Sequence, residues 1–539
     1  MTPLQNESQL NQTSNTRRDI LKWAALASAP LSFSLSMAQT PLRHNPFSLG
    51  VASGSPNHRS VVLWTRLMPD VVSGNTQFAA TDVSVKWEVA DDEAFKVNRR
   101  AGQVVALAAL AHSVHLELDH LQSDRWYFYR FQIGDAQSTV GRTRTLPHPE
   151  AMVQKLRVAY ASCQRWEHGY FSAYDHMCQE NLDMVLFLGD YIYEYAGAAN
   201  AVRWPSGGWV SSLADYRDRY ALNKSEKGLQ AMHAQCPWLM TWDDHEVSND
   251  YASLVRGQSG NISFDFAAQR ARAYQAFYEH MPLRATALTK SIEGLASGAE
   301  LRIYGQVAYG KLANFYLLDD RQYRDRQVCN KNGAFGSGWV DTEQCEEWLD
   351  PKRSLLGVEQ AHWLDQSFAQ AKSDARTWNV VAQQTLFGRR DYRMGTGYYM
   401  WNDGWDGYSA ARQQMTQSMQ NHALKNPVLV GGDVHENWVG HVMADAYKDD
   451  SAKIGVEFCG AGITARSAGN SKLAARLAEN PHFIFADSER KGYGVVEFTA
   501  KQIQTELRVV DNVRQPQTKI ETLAKFSVEA GLSQVQRLA

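Results

Sequence analysis

Little in this sequence suits a nucleic-acid binder. Fifty-five Lys and Arg against 58 Asp and Glu leave a formal net charge of −3, and no Lys/Arg stripe concentrates positive field on one face. Cysteine is sparse, with six in 539 residues, at positions 163, 178, 236, 329, 345 and 459. That spacing excludes a small disulfide-stapled scaffold. Cys329 and Cys345, which flank a glycine-rich loop, are the one candidate pair, and the sequence leaves open whether they are bonded. Low-complexity runs and internal repeats are lacking. So are a Ser–His–Asp signature and a glycine-rich phosphate loop, which removes two common routes to ester chemistry. The 16 Trp and 23 Tyr are scattered, which suits cores better than a binding platform.

What is there is an ordinary globular composition, 44% hydrophobic and 21% charged, on a chain long enough for two or more domains. Arg17-Arg18 and Lys22 precede an apolar stretch at 23–37 that is too short, and too rich in Ala and Ser, to span a bilayer. Ser36-Met37-Ala38 then puts small residues where a signal peptidase reads, so residues 1–38 are expected to be a signal peptide. The paired arginines resemble a twin-arginine leader, which implies the twin-arginine export machinery as a partner and a periplasmic or secreted protein. The plain alternative is a chance Arg-Arg before an apolar patch. No second long apolar run follows, so no transmembrane span is expected in the mature chain.

Strand-forming runs at 60–65, 83–89, 113–118 and 126–131 predict a small all-β domain, immunoglobulin-like or fibronectin-like, over 43–146. Leu146-Pro147-His148-Pro149-Glu150 reads as a linker. Beyond it, short apolar strands at 156–160, 184–188, 313–318, 378–382, 427–430, 453–458 and 494–498 are expected. Helical stretches at 170–181, 264–280 and 357–371 fall between several of them. This alternation predicts a layered α/β domain over 151–539.

The chemistry-bearing residues arrive where strands run out. One strand end delivers Ser162-Cys163, and the next delivers Gly189-Asp190-Tyr191-Ile192-Tyr193. A third delivers Asp243-Asp244-His245-Glu246 with Asn249 close behind, and a fourth delivers Gly432-Asp433-Val434-His435. Ligands of α/β sheets gather outside the carboxyl ends of strands, and Cys, Asp, Tyr and His together are metal-ligand types.

Gly189-Asp190 followed by Tyr193 resembles the metal motif of purple acid phosphatases. Ala161-Ser162-Cys163-Gln164, the Asp243 to Val247 run, the Leu318 to Arg324 run, Trp405-Asp406-Gly407-Tyr408 and Gly432-Asp433-Val434-His435 are similar to the PhoD-like alkaline phosphatase family. The resemblance covers nearly the whole mature chain. It implies a layered metallophosphoesterase-type β-sandwich core with helices, preceded by the small β domain and a twin-arginine leader.

It further implies iron, Fe3+, on Cys163, Asp190, Tyr193 and His435. Anionic thiolate, phenolate and carboxylate donors suit that ion. The second site shares Asp190 and adds Asp244 and Asp433. Carboxylates there, where the purple acid pattern has Asn and His, favour calcium, Ca2+. Asn249 is a further calcium candidate, and Asp243 is left behind Asp244, since only one of an extended pair faces the site. His245 is the expected catalytic residue, donating a proton to the departing alkoxide or stabilising the phosphoryl charge. Arg321 either contacts the substrate phosphate or, like Arg324, pairs with Asp319, Asp320 or Asp325. His168, His176, His233 and His441 read as structural or exposed.

The implied activity is hydrolysis of phosphomonoesters, an alkaline phosphatase, through a metal-activated hydroxide. The alternatives are a phosphodiesterase or phospholipase D-like activity, or a non-enzymatic exported metal-binding module.

Overall fold

The computed structural model describes residues 44–68, 81–205, 207–257, 265–288, 300–330 and 334–539. The leader expected at 1–38 lies outside the described residues. No helix among them is long and apolar enough to cross a membrane.

Two large sheets face each other. The first has ten strands, with Lys155–Ala161, Met184–Leu188 and Trp238–Thr241 parallel at its centre. The second has seven, four of them parallel: Ala313–Leu317, Trp378–Ala382, Pro427–Gly431 and Lys453–Cys459. Met-Val-Leu-Phe-Leu at Met184–Leu188 is buried throughout and shows no polar alternation, because both of its faces are covered. Its Met184, Leu186 and Leu188 meet Phe315, Val380, Val430 and Phe458 between the sheets. Burying each such side chain contributes about 1.5–3 kcal/mol.

Helices cover the outer faces. Phe187, Trp238 and Trp242 pack on the side of Leu213–Lys224, Lys227–His233 and Phe266–His280. Tyr316, Val381 and Leu429 pack on the side of Gly357–Asp374 and Ser409–Asn421. The result is a sheet-rich α/β fold in four layers. Each expected strand beyond the linker is present. The helix expected at 170–181 is one short turn, Ala173–Met177, and the described residues add helices at Leu213–Lys224, Lys227–His233, Ser409–Asn421 and Leu473–Glu479. Three more strands, Gln502–Val510, Ile520–Glu529 and Val535–Leu538, extend the first sheet past the last one expected.

Among the described residues from Val51 to Arg144 the regular structure is strands and one 3-10 turn. Val61, Leu63, Val85, Val104, Tyr129 and Phe131 form a core between two small sheets. One of those sheets is continuous with the ten-stranded sheet, because Val51–Gly54 runs parallel to Trp238–Thr241, with Gly54 opposite Trp238. A glycine is required at that joint: a Cβ on Gly54 would lie 2.7 Å from Pro282 Cγ and 2.8 Å from the Trp238 carbonyl. Trp64 Nε1 also donates to the Glu279 carbonyl at 3.0 Å, tying this region to Phe266–His280. Cys329 and Cys345 form a disulfide.

Candidate metal centre

The parallel strands of both sheets point their carboxyl ends to one place. Ala161 leads into Cys163, Leu188 into Asp190, Thr241 into Asp243 and Asp244, and Gly431 into Asp433 and His435. Cys163, Asp190, Asp433 and His435 all have left-handed backbones, with φ of 55°, 58°, 63° and 56°. Such a conformation costs a non-glycine residue about 1–2 kcal/mol and persists only where the surroundings over-determine it. Here Glu246 does much of that. Its buried carboxylate accepts the amides of Asp190 at 3.0 Å, Tyr191 at 2.5 Å and Asp243 at 2.8 Å. It thereby clamps two strand ends together. Gly189, at φ 103°, lets them approach, since a Cβ there would lie 2.5 Å from that of Asp243.

Ligand atoms of Cys163, Asp190 and His435 all lie within 4.8 Å of one another. Tyr193 Oη joins them, 2.7 Å from Asp190 Oδ2 and 3.2 Å from His435 Nε2. His435 Nδ1 donates to the Arg466 carbonyl at 2.9 Å, which fixes the tautomer that turns the Nε2 lone pair toward the group. Burial and the neighbouring Asp190 push the Cys163 thiol and the Tyr193 phenol well above their usual ranges. A highly charged cation is what deprotonates such groups.

The second cluster is carboxylate. Asp243, Asp244 and Asp433 share a 4.8 Å sphere, as do Asp244, Asp250 and Asp403. Asp190 and Asp244 share another with His245. Asp190 Oδ1, Asp244 Oδ1 and Asp243 Oδ2 are buried with no hydrogen-bond partner among the described residues. Burial pushes Asp244 up to about 6 against the pull of Arg321, and raises Asp433 as well. Asp190 goes the other way. Burial works against it, but His245, His435 and Tyr193 hold it down to about 2. Orphaned carboxylate oxygens and an excess of negative charge fit hard cations.

Asp243 is not turned away as an extended chain would require. The backbone bends at Asp244, whose carbonyl accepts the amides of Val247 at 2.8 Å and Ser248 at 2.7 Å, so both carboxylates reach the cluster. Arg321 is 1% exposed. Its Nε binds Asp243 and its Nη1 binds Asp403 at 2.5 Å. Its Nη2 faces Asp433 at 3.6 Å and Asp244 at 3.7 Å. Arg324 also binds Asp403, at 2.8 Å, rather than its sequence neighbours. The Asn249 Oδ1 accepts from Tyr195 Oη at 2.7 Å. His168, His233 and His441 each bond to protein groups outside the centre, namely the Arg466 amide, the Tyr191 hydroxyl and the His482 carbonyl.

His245 lies beside the clusters with its ring 4.1 Å from that of Tyr193. Its Nδ1 bonds Glu194 Oε2 at 2.7 Å, and the other oxygen of Glu194 accepts the Asn249 amide at 2.8 Å. Burial opposes the imidazolium, but Asp190, Glu194 and Asp244 outweigh it and hold the His245 pKa well above the usual range. The sequence reading missed Glu194, Glu246, Asp250 and Asp403. Glu246 stands inside a strand-end run already singled out, and Glu194 directly follows another; Asp403 follows the strand Tyr399–Trp401.

Residues 158–507 match the sequence model of the family described as PhoD-like phosphatase, and residues 33–147 match that of its N-terminal domain. Alkaline phosphatase D of Bacillus subtilis (strain 168) is 40% identical, over 97% of this chain and 89% of that protein. A solved structure titled "Structure of PhoD" superposes with a TM-score of 0.85 at 40% identity, covering 93% of this chain and 94% of that one.

Proposed function

The chain belongs to the PhoD-like phosphatase family, and from that premise we propose that it is an exported, metal-dependent hydrolase of phosphoric esters acting as an alkaline phosphatase. The observation that carries the reading is the cluster of Cys163, Asp190, Tyr193 and His435 beside a second cluster of Asp243, Asp244 and Asp433, with the His245 imidazole near Asp190 and Asp244. Cys163, Asp190, Tyr193 and His435 would hold Fe3+. Asp190, Asp244 and Asp433 would hold Ca2+, with Asn249 available to a further calcium once released from Tyr195. When bound, such ions supply Lewis acidity, polarising a phosphoryl oxygen and acidifying water.

The chain's own groups do the rest. Asp190 stays ionised and is shared between the two clusters. His245 carries a proton that it delivers to the departing alkoxide, and Glu194 keeps the ring oriented and charged. Arg321 balances the negative charge of Asp243, Asp244, Asp403 and Asp433, and its Nη2 is the atom left to meet a phosphoryl oxygen.

Residues 1–38 are read as a twin-arginine leader, and the Cys329–Cys345 disulfide supports an oxidising destination, periplasmic or secreted. Residues 43–146 are read as an N-terminal β domain and 151–539 as the catalytic domain, a division supported by family matches that end at 147 and resume at 158. The test is hydrolysis of 4-nitrophenyl phosphate against bis(4-nitrophenyl) phosphate by the purified protein. Faster turnover of the monoester supports the phosphatase reading. Faster turnover of the diester moves it to phosphodiesterase, and no turnover of either contradicts it.

A further inference from the structure

A short two-stranded ribbon stands beside the acidic cluster. Trp339–Asp341 pairs antiparallel with Tyr399–Trp401, with Trp339 opposite Trp401 and Val340 opposite Met400. Strand alternation sorts the side chains. Val340 and Met400 are buried inward with the disulfide-bonded Cys345. Trp339, Trp401 and Tyr399 take the outer face, where Trp339 is 42% exposed. Trp339 and Tyr399 lie parallel with ring centroids 5.4 Å apart, and Trp401 meets Trp339 edge-on at 5.0 Å. Aromatic residues are scattered along the sequence, but folding gathers these into one open face.

Both ends of this face are bound to the centre. Trp401 stands two residues before Asp403, at most about 7 Å away along the chain, and Asp403 and Asp250 each bring a carboxylate oxygen within 4.8 Å of Asp244. Ser337, two residues before Trp339, donates to Asp250. On the other side Tyr392 packs against Trp339 at 4.6 Å, and Arg390 lies over Tyr392 at 5.2 Å while bonding Glu436, the residue after His435, at 2.9 Å. The ring face is thus linked to the centre through Asp403 and Asp250 on one side and through Arg390 and Glu436 on the other.

We infer that Trp339, Tyr399 and Trp401 form a stacking subsite for a planar aromatic ring on the alcohol of the phosphoester, and so set a preference for aryl leaving groups. The inference rests on the phosphoesterase reading above. Flat, mutually stacked rings offer a π-surface that another ring covers well. An acyl chain is matched by a closed apolar groove, whereas here Asp341 and Arg393 pair at the border of the face.

The experiment measures kcat/KM for 4-nitrophenyl phosphate and for sn-glycerol 3-phosphate in the metal-loaded wild type, Trp339→Ala, Trp401→Ala and Trp339→Tyr. The ratio of aryl to glycerol ester should fall about tenfold in each alanine variant, through a higher KM for the aryl ester. Trp339→Tyr, which keeps a ring, should hold the ratio within about threefold of wild type. A ratio unchanged in both alanine variants, including parallel losses on the two esters, overturns the subsite. Wild-type protein inactive on both esters overturns the phosphoesterase reading and the subsite with it.

Discussion

His245 Nδ1 sits 2.7 Å from Glu194 Oε2, and that carboxylate is itself held by the Asn249 amide. The pair gives the imidazolium both its orientation and part of its charge. Glu194→Gln should therefore lower kcat by about 10- to 100-fold, the scale for losing a residue that orients a functional group, with KM little changed. The pH profile carries the sharper sign. Glu194, a carboxylate not assigned to either ion, is one of the groups that raise the His245 pKa against burial and favour the protonated ring. Removing the Glu194 charge lets the ring lose its proton at lower pH. The alkaline limb of kcat should move to lower pH in the variant.

Tyr193 Oη lies between Asp190 and His435. If its phenolate binds Fe3+, the protein is coloured by ligand-to-metal charge transfer. Tyr193→Phe should bleach or shift that band while circular dichroism is unchanged. A colourless wild type that is active and free of iron by elemental analysis contradicts the iron assignment.

Glu246 touches no expected ligand side chain, yet it accepts three backbone amides from two strand ends. Glu246→Ala leaves those buried donors unpaired, at about 1–3 kcal/mol each. A fall in Tm and incomplete metal content by elemental analysis are expected together. Full metal loading at unchanged Tm would show that the left-handed turns hold themselves.

Cys329 and Cys345 are 16 residues apart in sequence. Closing a loop of that length stabilises the folded chain by about 3 kcal/mol in the chain-entropy account. The double variant Cys329→Ser with Cys345→Ser should lower the denaturation midpoint accordingly. It should also reduce activity on aryl esters, because the disulfide lies under the ribbon that presents Trp339.

The strand ends were legible because buried parallel strands are short apolar runs, and the polar residues that follow them stand out. Cys163, Asp190, Tyr193, Asp244, Asp433 and His435 were all placed that way. The helix Leu213–Lys224 was not, because its buried face includes Arg219, Asn223 and Lys224 as well as Tyr216 and Tyr220, leaving no apolar stripe to read. The one local signal was the Ser212–Asp215 capping box. Gln502–Val510 does alternate, with Ile503, Thr505, Leu507 and Val509 buried, and its pattern was readable. Asp403 could not be seen at the site, because its partner Arg321 is 82 residues away and only the fold joins them. Glu194 and Glu246 sat in plain view, but their roles are hydrogen bonds across 51 and 56 residues. The sheet joint at Gly54 is equally tertiary: a glycine that fits between Pro282 and Trp238 has no sequence pattern.

The most direct test of the account is calcium dependence, because the residues proposed to hold the second ion, Asp190, Asp244 and Asp433, would offer it only oxygen. Turnover of 4-nitrophenyl phosphate is followed as the protein is treated with a calcium-selective chelator and then given calcium or zinc, with iron and calcium content measured alongside. The account predicts that turnover is abolished while iron and colour remain, and that calcium restores it where zinc does not. An unchanged rate after calcium is removed, or better recovery with zinc, would contradict it.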